Sequence, residues 1–193
     1  DGSRTLIMWH DLFARNLQYT VVLRAAANFR PLEAFTSYWS PGGFKGTTLI
    51  TVNGDTVDME SHGPLGTFTQ TVKVPEKLSL GTHPVSGDGW HTWYDDPKAK
   101  GVQKSGMTYG LDPGGDMSRP VVGLLVPQQF ENLGKEKITV RAGTFDTVHY
   151  KVAGASDTWV LMPDRILIKM SMKSRGIDYE LVEFASGDNS EAR

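Results

Sequence analysis

The stretch that decides the fold is Thr47-Thr48-Leu49-Ile50-Thr51-Val52-Asn53-Gly54-Asp55-Thr56-Val57-Asp58-Met59-Glu60-Ser61. Thr48, Ile50 and Val52 alternate up to Asn53-Gly54, and Val57 and Met59 alternate after it. Period two is the spacing of a strand, and Asn-Gly between two such runs supplies the positive φ angles that a tight type I′ hairpin turn needs. A turn centred on Asn53-Gly54 predicts Val52 opposite Asp55, Ile50 opposite Val57 and Thr48 opposite Met59. Those pairings gather the apolar side chains on one face.

The same grammar extends outward. Thr67 to Val74 places Phe68, Val72 and Val74 on one side and Thr67, Thr69, Thr71 and Lys73 on the other, which suits a sheet with one wet face. Toward the C-terminus, Ile138 to Val140, Thr144 to Val152, Thr158 to Met162, Arg165 to Lys173 and Ile177 to Leu181 alternate in turn, separated by Ala142-Gly143, Pro163-Asp164 and Gly176. Short strands joined by brief turns predict an antiparallel meander. The N-terminal segment differs. Leu6, Ile7, Trp9, His10, Leu12, Phe13 and Leu17 fit a helical stripe better than alternation, and Ser3 is available as an N-cap, so a short helix is expected within residues 1–17. Residues 75–129 are rich in Gly and Pro with poor periodicity, and read as a loop-rich insertion that also hides strands. The small, polar stretch 185–193 reads as a flexible tail.

A chain of 193 residues with 39% apolar and 22% charged residues buries enough surface for one folded domain, taken as 1–193. A sheet of eight or more antiparallel strands must curl or close, because twist accumulates and open edges invite pairing. The expected fold is therefore all-β, an antiparallel β-barrel or curved half-barrel of lipocalin-like size with a short N-terminal helix. Such a barrel has room inside for one small ligand.

Composition also excludes functions. The net charge of -2 argues against a nucleic-acid partner, and Cys 0 removes disulfides, thiolate metal sites and cysteine nucleophiles. The sequence contains no run of 18 apolar residues, so no membrane insertion by a helix is expected. Compartment stays open between export and the cytoplasm.

Val140-Arg141-Ala142-Gly143-Thr144-Phe145-Asp146-Thr147, the later Trp159, and Arg175-Gly176-Ile177-Asp178-Tyr179-Glu180-Leu181 together resemble a bacterial family known as domain of unknown function 3108. The resemblance covers the C-terminal third well and the middle loosely. It implies a β-rich, barrel-like or half-barrel fold, common in exported bacterial proteins, and it assigns no reaction and no functional residue.

The densest chemistry lies in Thr82 to Asp96, which holds His83, Asp88, His91, Trp90, Trp93, Tyr94, Asp95 and Asp96 among turn formers. Were Trp90 to Asp95 extended, His91, Trp93 and Asp95 would share a face. An imidazole beside a carboxylate is oriented for acid-base work near neutral pH, which makes His83, Asp88 and His91 the catalytic candidates. His91 would be the base or acid, Asp88 its orienting partner and His83 a second proton donor. Trp90, Trp93 and Tyr94, together with Tyr38 and Trp39 at a barrel rim, are the candidate substrate-binding wall. The plainer alternative is that Asp88 caps a turn while the aromatics cover the core.

His10, His62, His83, His91 and His149 include no His-x-His or His-x-x-x-His pair, so no metal site is expected. Ser61-His62 lacks a nucleophile elbow, and Pro41-Gly42-Gly43 and Pro113-Gly114-Gly115 lack the helix and Lys of a phosphate loop, so no nucleotide cofactor is expected. His149, between Thr147 and Lys151, belongs to a solvated sheet face. The expectation is a cofactor-independent enzyme of lyase, isomerase, hydratase or cyclase type. It would take an apolar or aromatic small molecule into the cavity and use His/Asp acid-base chemistry. The alternative is a non-catalytic carrier or sensor of lipophilic ligands, and a third reading has the C-terminal sheet edge form a homo-oligomer.

Overall fold

The structure is a computed structural model that describes residues 1–13, 16–82, 85–112, 114–152 and 156–187. Thirteen strands among these residues form two sheets. The first is a continuous meander of β1 (Arg4–Leu12), β2 (Leu17–Ala25), β3 (Pro31–Ser40), β4 (Gly43–Asn53), β5 (Thr56–Gly63) and β6 (Gly66–Lys73), each paired with the next. The second contains β7 (Leu78–Gly81), β8 (Val102–Asp112), β9 (Val122–Val140), β10 (Gly143–Val152), β11 (Ser156–Leu161), β12 (Ile166–Met172) and β13 (Ile177–Glu180), again in sequence order. Pairing is antiparallel except between β7 and β8. A parallel neighbour requires a crossover, and the segment making it contains a 3-10 helix, Val85–Thr92. The curved sheets fit the half-barrel form of the expected fold, and among the described residues no closed barrel forms.

Alternation sets the two faces of the first sheet. Val21, Leu23 and Ala25 on β2 point inward and are buried, while Gln18, Thr20, Val22 and Arg24 point outward. Ile50, Val57 and Met59 continue the inner face, and Leu78, Leu80 and Tyr109 from β7 and β8 close over it to form one apolar cluster. A second cluster, Tyr94, Phe130, Tyr150 and Val160, fills the inner side of the second sheet at one end. The sheets are tied by Gln70 on β6, whose Nε2 donates to the Gly123 carbonyl at 3.2 Å and whose Oε1 accepts the Gly123 N–H at 2.7 Å. Position 123 has to be Gly, because a Cβ there would lie 2.0 Å from the Tyr109 hydroxyl oxygen.

Two expectations are corrected. The expected N-terminal helix is not found among the described residues: residues 4–12 are strand β1, paired from Arg4↔Ala25 to Leu12↔Leu17. Leu6 and Met8 face inward while Ile7 and Trp9 stand exposed at 73% and 69%, so apolar residues on both faces imitated a helical stripe. The β4–β5 register is Val52↔Val57, Ile50↔Met59 and Thr48↔Ser61, two residues away from the expected pairing. Only Gly54 takes a positive φ (63°), and Asn53 instead pairs with Thr56 while its side-chain amide donates to Asp58 Oδ2. Glycine at the first central position is the pattern of a type II′ turn, and a slip of two preserves which residues face inward. Residues 75–129 contain β7, β8, the start of β9 and the 3-10 helix. The five C-terminal segments are strands β9 to β13, paired consecutively as expected. Of the expected tail, Ala185 to Gly187 are exposed and residues 188–193 lie outside the described residues.

Candidate functional site

A 3-10 helix has three residues per turn, so side chains at i and i+3 eclipse one another. Val85–Thr92 therefore sorts its residues into three rows with three different jobs. The row Ser86, Gly89, Thr92 carries the contacts with Arg165, at the turn before β12. A Cβ on Gly89 would lie 2.1 Å from the Arg165 carbonyl oxygen, and the Arg165 guanidinium Nη1 donates to Thr92 O and to Thr92 Oγ1, both at 2.7 Å. A cation on the last carbonyls suits a helix C-terminus. The second row turns Trp90 into the first sheet's core, edge-on to Phe29 with ring centroids 5.3 Å apart.

The third row, Val85, Asp88 and His91, borders a cavity of about 340 Å³ on the inner side of the second sheet. Its walls are largely apolar: Val126 and Pro127 from β9, Val152 from β10, and Met170 and Met172 from β12. Ser156 and Thr158 from β11 add hydroxyls to the lining, and Asp88, Thr108 and Gln128 surround His91. Its Nδ1 lies 3.2 Å from Gln128 Oε1, and the Thr108 hydroxyl donates to that same oxygen. An amide oxygen only accepts, so Nδ1 carries the hydrogen and Nε2 is directed to Asp88, whose Oδ1 is 3.6 Å away. Loss of water around the Asp88 carboxyl pushes its pKa up from 3.8 to about 7. The cavity thus holds a carboxyl whose pKa is raised toward neutrality by burial, beside an imidazole.

Of the catalytic candidates, Asp88 and His91 meet at this cavity, and His83 lies outside the described residues. The orientation of His91 is set by Gln128 and Thr108 at Nδ1, with Asp88 facing the other nitrogen. Trp90 to Asp95 is not extended, so Asp95 does not join His91. Instead Asp95 accepts hydrogen bonds from Tyr150 Oη at 2.9 Å, Asn132 Nδ2 at 2.7 Å and Gln103 Nε2 at 2.7 Å, which makes it an anchor for the second core cluster.

The aromatic candidates do not line the cavity with Asp88 and His91. Tyr38 is buried on the inner face of β3, with its hydroxyl donating to the Thr82 carbonyl at 3.3 Å and its ring 5.1 Å from Tyr19. Trp39, its neighbour, points to the opposite face and is 52% exposed against Phe44. Trp93 donates its indole N–H to the Leu78 carbonyl at 2.8 Å, and Tyr94 packs on Phe130 at 5.0 Å. The remaining imidazoles are elsewhere: His10 on Tyr19, His62 beside Glu60, and His149 between Glu136 and Asp157. Among the described residues no group of three or more His, Asp or Glu is arranged to hold a metal ion.

Sequence reasoning missed Thr108, Gln128, Met170 and Met172 as site residues. Alternation of Met170 and Met172 with Ser171 was visible, but which face would meet the helix was not. Thr108 and Gln128 carry no local signal at all. They meet His91 because β8 and β9 pair in register Met107↔Pro127 and Thr108↔Val126 beneath the helix.

No protein-family model matches the chain, and no curated protein matches it. Among solved structures, a domain-of-unknown-function 1089 family protein from Pseudomonas aeruginosa is similar, with 10% identity, a TM-score of 0.45, and coverage of 87% of this chain and 88% of that one. It belongs to a different family from the one the C-terminal residues resemble. A likeness this distant carries no argument about function. Among the described residues no helix is long and apolar enough to cross a membrane.

Proposed function

We propose that this protein binds a small, largely apolar molecule in the cavity of the second sheet and catalyses a cofactor-independent proton transfer on it. The observation that carries this reading is the row Val85, Asp88 and His91, which sets an acid-base pair over walls of Val, Pro and Met. His91 Nε2 would remove a proton from substrate, and the neutral Asp88 carboxyl would return one at a second position, leaving no net change in protons, as in an isomerisation. The apolar walls would exclude water and hold the substrate in one pose. The second reading, a carrier of lipophilic ligands, is favoured by those same Met and Val walls, which bind without any need of the imidazole.

The test needs no knowledge of the substrate. A panel of small ketones and enones is incubated with the protein in deuterated buffer, and deuterium at carbon is followed by NMR. Enzyme-dependent exchange is expected for part of the panel, falling by about 10² to 10⁴ in His91→Ala. Exchange no faster with wild type than with His91→Ala, for every compound, overturns the catalytic reading. Saturable binding without exchange then selects the carrier.

A further inference from the structure

A second cavity, of about 230 Å³, opens at the seam where β1 of the first sheet approaches β13 of the second. Its walls include Trp9, Leu167, Ile168 and Leu181, and it shares one residue with the first cavity, Val85. The two spaces also follow a single strand. Leu167 and Ile168 both border the seam cavity, because the β11–β12 register shifts between Leu167 and Lys169, and Met170 and Met172, which share a face of β12, border the larger one. Ile168, Met170 and Met172 follow one another along β12, and Val85, which borders both cavities, joins the two spaces into one apolar track.

Both ends carry polar groups, and the seam cavity is lined by His10, Ser86, Tyr179 and Glu180 as well as by its apolar side chains. Asp88, His91, Thr108 and Gln128 gather at the larger cavity, while neither cavity is lined by Lys or Arg. An anionic ligand group there would face the carboxyl of Asp88 with no lining cation to balance it, whereas a hydroxyl or carbonyl can be hydrogen-bonded by the carboxyl and imidazole.

Building on the proposed function, we infer that the ligand is an uncharged amphiphile. Its hydroxyl or carbonyl head lies at Asp88 and His91, and its unbranched alkyl tail runs along Ile168, Met170 and Met172 beneath Val85 into the seam cavity. Chain length is then the specificity determinant, read at the β1–β13 seam rather than at the catalytic pair.

The test is displacement of Nile red by 1-alkanols from hexanol to dodecanol. Each methylene that enters the track should tighten binding about fourfold until the seam cavity is full. In Leu181→Trp, which fills the seam end, and in Val85→Trp, which narrows the passage, the gain should stop at a shorter chain; thermal unfolding checks that each variant folds. Affinity independent of chain length, or a length dependence unchanged in a folded Trp variant, overturns the tail placement while leaving the head site standing. Failure of every alkanol to bind overturns the ligand class, and deuterium exchange on the carbonyl panel then reports separately whether the proposed function survives.

Discussion

Two imidazole–carboxylate clusters lie on opposite sides of the second sheet, one inner and one outer, and they differ in what surrounds them. On the outer side, His149 has both ring nitrogens on carboxylates, Nδ1 at 2.9 Å from Glu136 Oε2 and Nε2 at 3.1 Å from Asp157 Oδ1. It also stacks on Trp159 with a centroid separation of 4.5 Å, and the indole N–H donates to Glu136 at 2.8 Å. Both ring nitrogens of His149 and the indole N–H of Trp159 are directed at carboxylates of the cluster, which makes a brace across β9, β10 and β11. On the inner side, His91 and Asp88 border a cavity of about 340 Å³ with apolar walls. Identical side-chain types therefore give a cross-strand brace in one place and a candidate reaction centre in the other. The difference is whether a space adjoins the pair.

The harshest way to break the inner cluster is Gly89→Val. Its Cβ would strike the Arg165 carbonyl oxygen at 2.1 Å, so the helix must leave β12, and a stability loss of about 3 kcal/mol or more is expected in denaturant unfolding, with loss of Nile red binding. Next comes Asp88→Asn, which separates chemistry from stability. Folded Asp88 titrates at about 7 against 3.8 unfolded, so between about pH 4 and pH 7 the folded state holds more protons and wild-type stability falls as pH rises, then levels off. The Asn variant lacks that slope. It should match wild type at pH 4 and exceed it at pH 8 by on the order of 1–3 kcal/mol in parallel unfolding curves, while losing proton exchange. In wild type, exchange that uses Asp88 as the acid should decline above about pH 7.

On the outer side, His149→Gln should cost about 1 kcal/mol in urea unfolding, because the carboxylates are partly solvated, and should leave the exchange rates of the carbonyl panel unchanged. A fall in exchange there would erase the contrast between the clusters. The smallest effect belongs to Trp39→Ala on the outer face of β3, expected within about 0.5 kcal/mol of wild type with alkanol binding intact.

Strand alternation was legible wherever one face is dry and the other wet. Thr144 to Val152 and Arg165 to Lys173 announced β10 and β12, and the Asn53-Gly54 region announced a hairpin whose facing was right although its register was two residues off. Legibility failed where both faces are apolar. On β1, Ile7 and Trp9 outside match Leu6 and Met8 inside, and only pairing with β2 reveals a strand. At the site, the cluster of titratable residues in Thr82 to Asp96 pointed to Asp88 and His91, but the expected aromatic wall did not follow. Tyr38, Trp90, Trp93 and Tyr94 went into packing because large rings gain most where water is fully excluded.

The amino-acid order by itself determined an all-β chain, its strand faces and the concentration of acid-base groups in one short segment, because these follow from period and composition within a few residues. Only the tertiary structure decided that the segment winds as a 3-10 helix, whose threefold repeat brings Val85, Asp88 and His91 to one side. It also decided that Thr108, Gln128 and the Met170-Met172 stripe lie opposite them. Those partners come from three other strands, and contacts between residues so far apart in the chain are fixed by the register and curvature of the sheets, which no local pattern encodes.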